Sequence, residues 1–160
     1  MFNSVGVICK PNDFTSQKTA LELGVLLEDI GARFIQDESE INSEADLIIV
    51  VGGDGTILNT ARTYVDSNIP ILGVNLGRLG FLADVSVDSM ASAVSEILNG
   101  EFIKEQRSLL RCQIEKDGKV VSEHLAFNEV VIHRNETPRM IEFELHVDDD
   151  FVNNQRADGI

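Results

Sequence analysis

Short apolar runs alternate with amphipathic stretches through the first hundred residues. Residues 5–9 form an apolar run stopped by Lys10-Pro11-Asn12, which predicts a strand. Leu23, Leu26, Leu27 and Ile30 then recur at helical spacing, and Gly31 closes a helix predicted over about 15–30. Residues 33–36 give a second strand. Residues 47–51 give a third, apolar at every position and therefore expected to be buried on both faces. Ile57, Leu58 and Ala61 predict a helix from Thr56 to about Val65, and Pro70 admits a fourth strand over 71–75. Val87, Met90, Ala91, Val94, Ile97 and Leu98 make one helical stripe, ended by Asn99-Gly100, that reads as core packing. Strands alternating with helices in this order imply right-handed crossovers and a parallel sheet, an α/β fold.

Past Gly100 the period changes. Residues 108–115 and 119–127 are strand-like and meet across Lys116-Asp117-Gly118, a hairpin signal. Residues 140–147 alternate: Ile141, Phe143, Leu145 and Val147 are expected to face in, and Glu142, Glu144 and His146 out. Asp148-Asp149-Asp150 reads as an acidic hairpin tip, after which the chain returns toward Arg156. An α/β domain over 1–100 is therefore expected to give way to an antiparallel β-rich domain over 101–160.

The chain has 160 residues, 43% of them hydrophobic, enough for one sizeable core or for one domain and part of another. Its formal net charge is −14, from 27 acidic residues against 13 basic. That balance argues against nucleic acid and against an anionic membrane surface as partners. The longest apolar run is too short to span a membrane. The start, Met1-Phe2-Asn3-Ser4, shows no basic region leading into an apolar one, so no signal peptide is expected. Cys9 and Cys112 match no metal spacing and read as reduced core thiols, which fits a cytoplasmic protein. His124, His133 and His146 are scattered and form no ligand set. The Asp148–Asp150 run lacks the spaced ligands and closing Glu of a calcium loop. No metal site is expected from protein side chains alone.

The most informative stretch is Gly52-Gly53-Asp54-Gly55-Thr56, a glycine turn between the third strand and the following helix. Backbone amides at a helix start and the aligned peptide dipoles favour an anion there, and glycines let a phosphate approach the backbone. Gly52, Gly53 and Thr56 are thus candidates for a phosphate cradle. Asp54 in its middle would repel that phosphate unless a metal or a transferable proton were present. One reading makes Asp54 a helix N-cap; the other places it in a phosphoryl-transfer site. The unbroken Gly-Gly-Asp-Gly-Thr looks like the motif shared by NAD kinases, diacylglycerol-type lipid kinases and phosphofructokinases.

A second glycine loop, 75–82, lies on the same carboxyl edge of the sheet, where parallel α/β proteins carry their ligands. Its Phe81 could plug the core or form a wall for a flat ring. Arg78, Arg139 and Arg156 are candidate cations for an anionic ligand. At a strand end, Asn128-Glu129 sets an amide beside a carboxylate, able to read a base edge or hold two ribose hydroxyls.

With Gly-Gly-Asp-Gly-Thr, Leu-Gly-Arg-Leu-Gly-Phe-Leu and Asn-Glu in that order, the chain resembles a bacterial NAD kinase along essentially its whole length. The resemblance implies a Rossmann-like three-layer parallel-sheet domain followed by a β-rich one, NAD and ATP (or polyphosphate) as substrates, Mg²⁺ as cofactor, and a homo-oligomer. It implies that Asp54 accepts the proton of the adenosine ribose 2′-hydroxyl and that Gly55 lies against the dinucleotide. Phe81 would line the adenine site, Asn128 and Glu129 would hold NAD, and Arg139, Arg156 and Asp158 would contact the ligand. It also implies that the β-rich domain is incomplete, because family members continue past a stretch like Arg156-Ala157-Asp158-Gly159-Ile160 into a Thr-Pro-Thr-Gly-Ser-Thr-Ala-Tyr segment. A lipid or sugar kinase of the same superfamily, or a non-catalytic dinucleotide-binding module, are the alternative functions.

Overall fold

The computed structural model describes residues 2–77, 80, 82–83, 85–135 and 139–160. The chain packs as two units, one ending at Ser108 and one covering Leu109–Ile160. In the first unit, strands β1 (Ser4–Cys9), β2 (Arg33–Ile35), β3 (Leu47–Val51), β4 (Ile71–Asn75) and β5 (Val85–Ser86) form a parallel sheet in the order β2-β1-β3-β4-β5. Helices α1 (Phe14–Ile30), α2 (Glu38–Glu44), α3 (Asp54–Thr63) and α4 (Met90–Leu98) connect and cover it.

Strand β3 organises both faces of the sheet, since all five of its residues are buried. Successive side chains of a strand point to opposite sides. Leu47, Ile49 and Val51 join Leu23 and Leu27 of α1 and Val94 and Leu98 of α4 in one core. Ile48 and Val50 join Ile41 of α2 and Ile57 of α3 in the other. The three-layer α/β architecture expected from the sequence is the one observed. Helix α1 is capped by Asp13, whose Oδ1 accepts the Ser16 amide at 2.8 Å, and closes at Gly31 with φ 87°.

Strand β5, helix α2 and helix α3 differ from expectation; β5 has only two residues and no pattern of its own. Helix α2 has only Ile41 buried and so carries no apolar stripe, which hid it from the pattern. Helix α3 stops at Thr63, short of Val65, and a 3-10 turn over Val65–Ser67 follows, leading to Asn68 in the left-handed region. No helix among the described residues is long and apolar enough to cross a membrane.

The second unit holds two antiparallel hairpins, β6 (Leu110–Lys116) with β7 (Lys119–Ala126), and β8 (Ile141–Val147) with β9 (Asp150–Ala157). Asp117 and Gly118 (φ 53° and 72°) turn the first, and Asp148 and Asp149 (φ 51° and 70°) turn the second. Positive φ at both central residues matches the right-handed twist of the flanking strands. Ile132 and Arg134 add a third rung set beside the end of β9. Ile132 and Ile160 exchange backbone hydrogen bonds of 2.7 and 2.8 Å, and the Arg134 amide donates to the Asp158 carbonyl at 2.8 Å. Ile141, Phe143 and Leu145 are half-buried, but Val147, expected to face inward, is exposed because it sits at the hairpin tip.

Candidate functional site

The glycine turn leaves the carboxyl end of β3. The Gly52 amide still donates to the Val74 carbonyl of β4 at 2.9 Å, so the turn starts from a fixed sheet position. Gly53, with extended backbone (φ −93°, ψ −179°), is the N-cap of α3 and offers no side chain to it. The Thr56 and Ile57 amides both point back to the Gly53 carbonyl, at 2.9 and 3.3 Å. Asp54 is therefore the first helical residue, which corrects the N-cap reading. Space is open where Gly53 or Gly55 would carry a Cβ, whereas a Cβ on Gly52 would meet Thr56 Oγ1 at 2.8 Å. The turn presents an uncapped helix start, bare backbone on its outer side, and one half-buried carboxylate.

The second glycine loop supports that carboxylate. The Leu82 amide donates to Asp54 Oδ1 at 3.3 Å. Gly80 lies so close that an added Cβ would stand 2.6 Å from Asp54 Cγ and 2.7 Å from Oδ2. Asn75, buried at the end of β4, accepts the Gly77 amide through Oδ1 at 3.0 Å and starts the loop. Sequence reasoning named the loop for Phe81 and Arg78; both lie outside the described residues. It missed the roles of Gly80 and of the Leu82 amide. The second glycine of the loop was the available signal.

The remaining candidates belong to the second unit. Asn128 and Glu129 are exposed immediately beyond β7, and Arg139 is exposed just before β8. Arg156 is exposed on β9, opposite Glu142. Asp158 forms an ion pair with Arg134 Nε at 3.0 Å, a partner that sequence reasoning did not name. Gly52, Gly53, Asp54, Gly55 and Thr56 are thus assembled in the first unit with Gly80 and Leu82. Among the described residues no group of three or more His, Cys, Asp or Glu could hold a metal ion.

A glycine turn with an uncapped helix start and a held carboxylate, at the carboxyl edge of a parallel α/β sheet, is the place where proteins of this fold class hold ligands, anions among them. The comparisons narrow the class. The ATP-NAD kinase N-terminal domain family matches residues 36–102. The NAD kinase of Hydrogenovibrio crunogenus is 54% identical over 124 residues, which cover 78% of this chain and 43% of that protein. The NAD kinase of Nitrosomonas eutropha is 38% identical over 100% of this chain and 60% of its own length. Residues 36–102 thus carry the ATP-NAD kinase N-terminal domain, the whole chain is similar to NAD kinases, and it spans about half the length of the curated relatives it matches. Two solved structures share its fold. Yeast NADH kinase complexed with NADH matches with a TM-score of 0.82 and 22% identity, over 98% of this chain and 53% of the yeast chain. An NAD kinase from Archaeoglobus fulgidus in complex with ATP matches with a TM-score of 0.68 and 23% identity, over 98% of this chain and 58% of the other.

Proposed function

We propose that the protein containing this chain transfers the γ-phosphoryl group of ATP to the 2′-hydroxyl of the adenosine ribose of NAD, giving NADP. The observation that carries this reading is the Asp54 carboxylate, held by the Leu82 amide at an uncapped helix start with open backbone at Gly53 and Gly55. Anchoring one carboxylate oxygen leaves the group oriented toward the hydroxyl before reaction. Asp54 then accepts the hydroxyl proton as the new bond to phosphorus forms, while the helix start receives phosphate. The same proposal assigns dinucleotide contacts to Gly55, Phe81, Asn128, Glu129, Arg139, Arg156 and Asp158, and phosphate contacts to Gly52, Gly53 and Thr56. The first unit is then the nucleotide-binding domain and the second the start of the NAD-binding domain.

Mg²⁺ fits as an ion carried by the donor phosphates, since such ions take only one or two protein carboxylates and the turn offers one. Bound there, it would neutralise the charge developing on the transferred group. The chain's own net charge of −14 favours such a counter-ion beside anionic nucleotides, together with the local arginines. A cytoplasmic location and a homo-oligomeric assembly belong to the same proposal, supported by kinship with the family.

Asp54→Asn tests the reading in the complete protein. Asn keeps an oxygen for the Leu82 amide but cannot take the proton. Turnover should fall by roughly 100- to 10,000-fold, the usual worth of a general base, with NAD affinity by calorimetry retained. NADP formation at the wild-type rate would remove Asp54 from the chemistry. Product analysis with NAD, diacylglycerol and sugar phosphates offered together separates this activity from a lipid or sugar kinase, and no product from any of them identifies a binding module.

A further inference from the structure

We propose that Ser16 is a positioning residue for the Asp54 turn, acting through a hydroxyl inserted into the sheet. In the parallel register Cys9 stands opposite Val51, so the next rung would be a direct bond from the Lys10 amide to the Val51 carbonyl. That rung is relayed instead. The Lys10 amide donates to Ser16 Oγ at 2.9 Å, and Ser16 Oγ donates onward to the Val51 carbonyl at 2.6 Å. Ser16 is fully buried, and its own amide is fixed by Asp13 Oδ1. One buried hydroxyl therefore bridges the end of β1 to the end of β3, just past the last paired residues Cys9 and Val51.

The place matters. From β1 the chain moves outward to β2, and from β3 it moves the other way to β4, so β1 and β3 flank the switch point of the sheet. The bridge ties the 10–13 turn to the start of the glycine turn, at Val51, only three residues before Asp54. With the Leu82 amide anchoring the carboxylate from the β4 side, the turn is fixed from both flanks. Without the hydroxyl, the Lys10 amide and the Val51 carbonyl lose this shared partner, and the start of the glycine turn shifts as they find others.

The inference rests on the phosphoryl-transfer reading, and the two fail separately. In the complete protein, Ser16→Ala should lower kcat by about 10- to 100-fold, the scale of a displacement near 1 Å at a reacting group. The KM for NAD should change less than kcat, because of the dinucleotide contacts assigned above only Gly55 lies on the turn that Ser16 positions. Ser16→Thr, which keeps the hydroxyl, should recover most of the lost kcat, and Ser16→Cys, a weak donor of similar size, should not. Assays run at temperatures where circular dichroism shows each variant folded; if Ser16→Ala does not fold, the Thr and Cys pair decides. Wild-type kcat in Ser16→Ala, or equal losses in the Thr and Cys variants, overturns the proposal. A wild-type protein that makes no NADP overturns the functional reading instead.

Discussion

Two glycine positions near Asp54 do different work. At Gly53 a side chain would point into open space, whereas at Gly80 it would land on the carboxylate. The atoms that an added Cβ would meet are those of the Asp54 carboxylate itself, so Gly80→Ala pushes that group away from the Leu82 amide. Turnover should fall at least about tenfold, a modest misplacement at a reacting group, while the melting temperature changes little because the position lies in a loop. Turnover within twofold of wild type would show that the loop does not hold the base. Cys9 offers a second check. Burial pushes its thiol above the ordinary range, and the negative charges of Glu38 and Asp13 add to the effect. The thiolate, which is the reactive form, therefore appears only at higher pH. Iodoacetamide labelling of Cys9 should have a midpoint above the ~8.5 of a free thiol, and Glu38→Gln should move it down. A midpoint at or below the free value would mean that these surroundings do not act on it.

Single elements divide according to how local their causes are. Strand β3 was legible because five apolar residues in a row need burial on both faces, and each side has a core waiting. Ile49→Ala should cost about 2–5 kcal/mol in urea unfolding, the usual range for emptying a packed aliphatic site. Val121→Ala on exposed β7 should stay within about 0.5 kcal/mol. Equal losses at both would deny that β3 organises the sheet. The glycine turn and the Asp117-Gly118 hairpin were legible for the same reason, since each is set by the conformational needs of adjacent residues. Helix α2 was not, because its one fully buried residue, Ile41, leaves no periodic stripe and its start depends on Asp37 accepting the Ser39 amide. Strand β5 has only two residues, too few for any period. Ser16 and Gly80 were invisible as site residues because their effects pass to partners far away in sequence, 35 residues for the bond from Ser16 to Val51. A lone serine in a first helical turn carries no mark of what the fold will bring beside it, and a second glycine in a loop signals a close approach without naming the partner.

Across the whole chain, burial is unevenly shared, and that determines what can stand alone. Among the described residues, every buried hydrophobic one lies between Val5 and Leu98. Among the described residues of Leu109–Ile160 none is buried, and Leu110, Ile114, Val120, Val121, Phe151 and Val152 are all exposed. Two-stranded hairpins without a shared core are at best marginally stable in water, because ordering each residue's backbone costs about 1–2 kcal/mol that little burial is there to offset. The first unit has two cores on opposite faces of one sheet, and a domain of its size can support cooperative unfolding. Residues 1–108 expressed alone should therefore melt in a single sigmoidal transition by circular dichroism, with an m-value fitting the surface of the whole unit. Residues 109–160 expressed alone should show a shallow, nearly linear change with temperature. A sharp transition in the second fragment would mean that its hairpins form a core of their own, and its exposed apolar side chains would then need another explanation. A first fragment that melts without cooperativity would show that the sheet draws on the second unit for its stability, and that Asp54 and its supports are not held by the first unit alone.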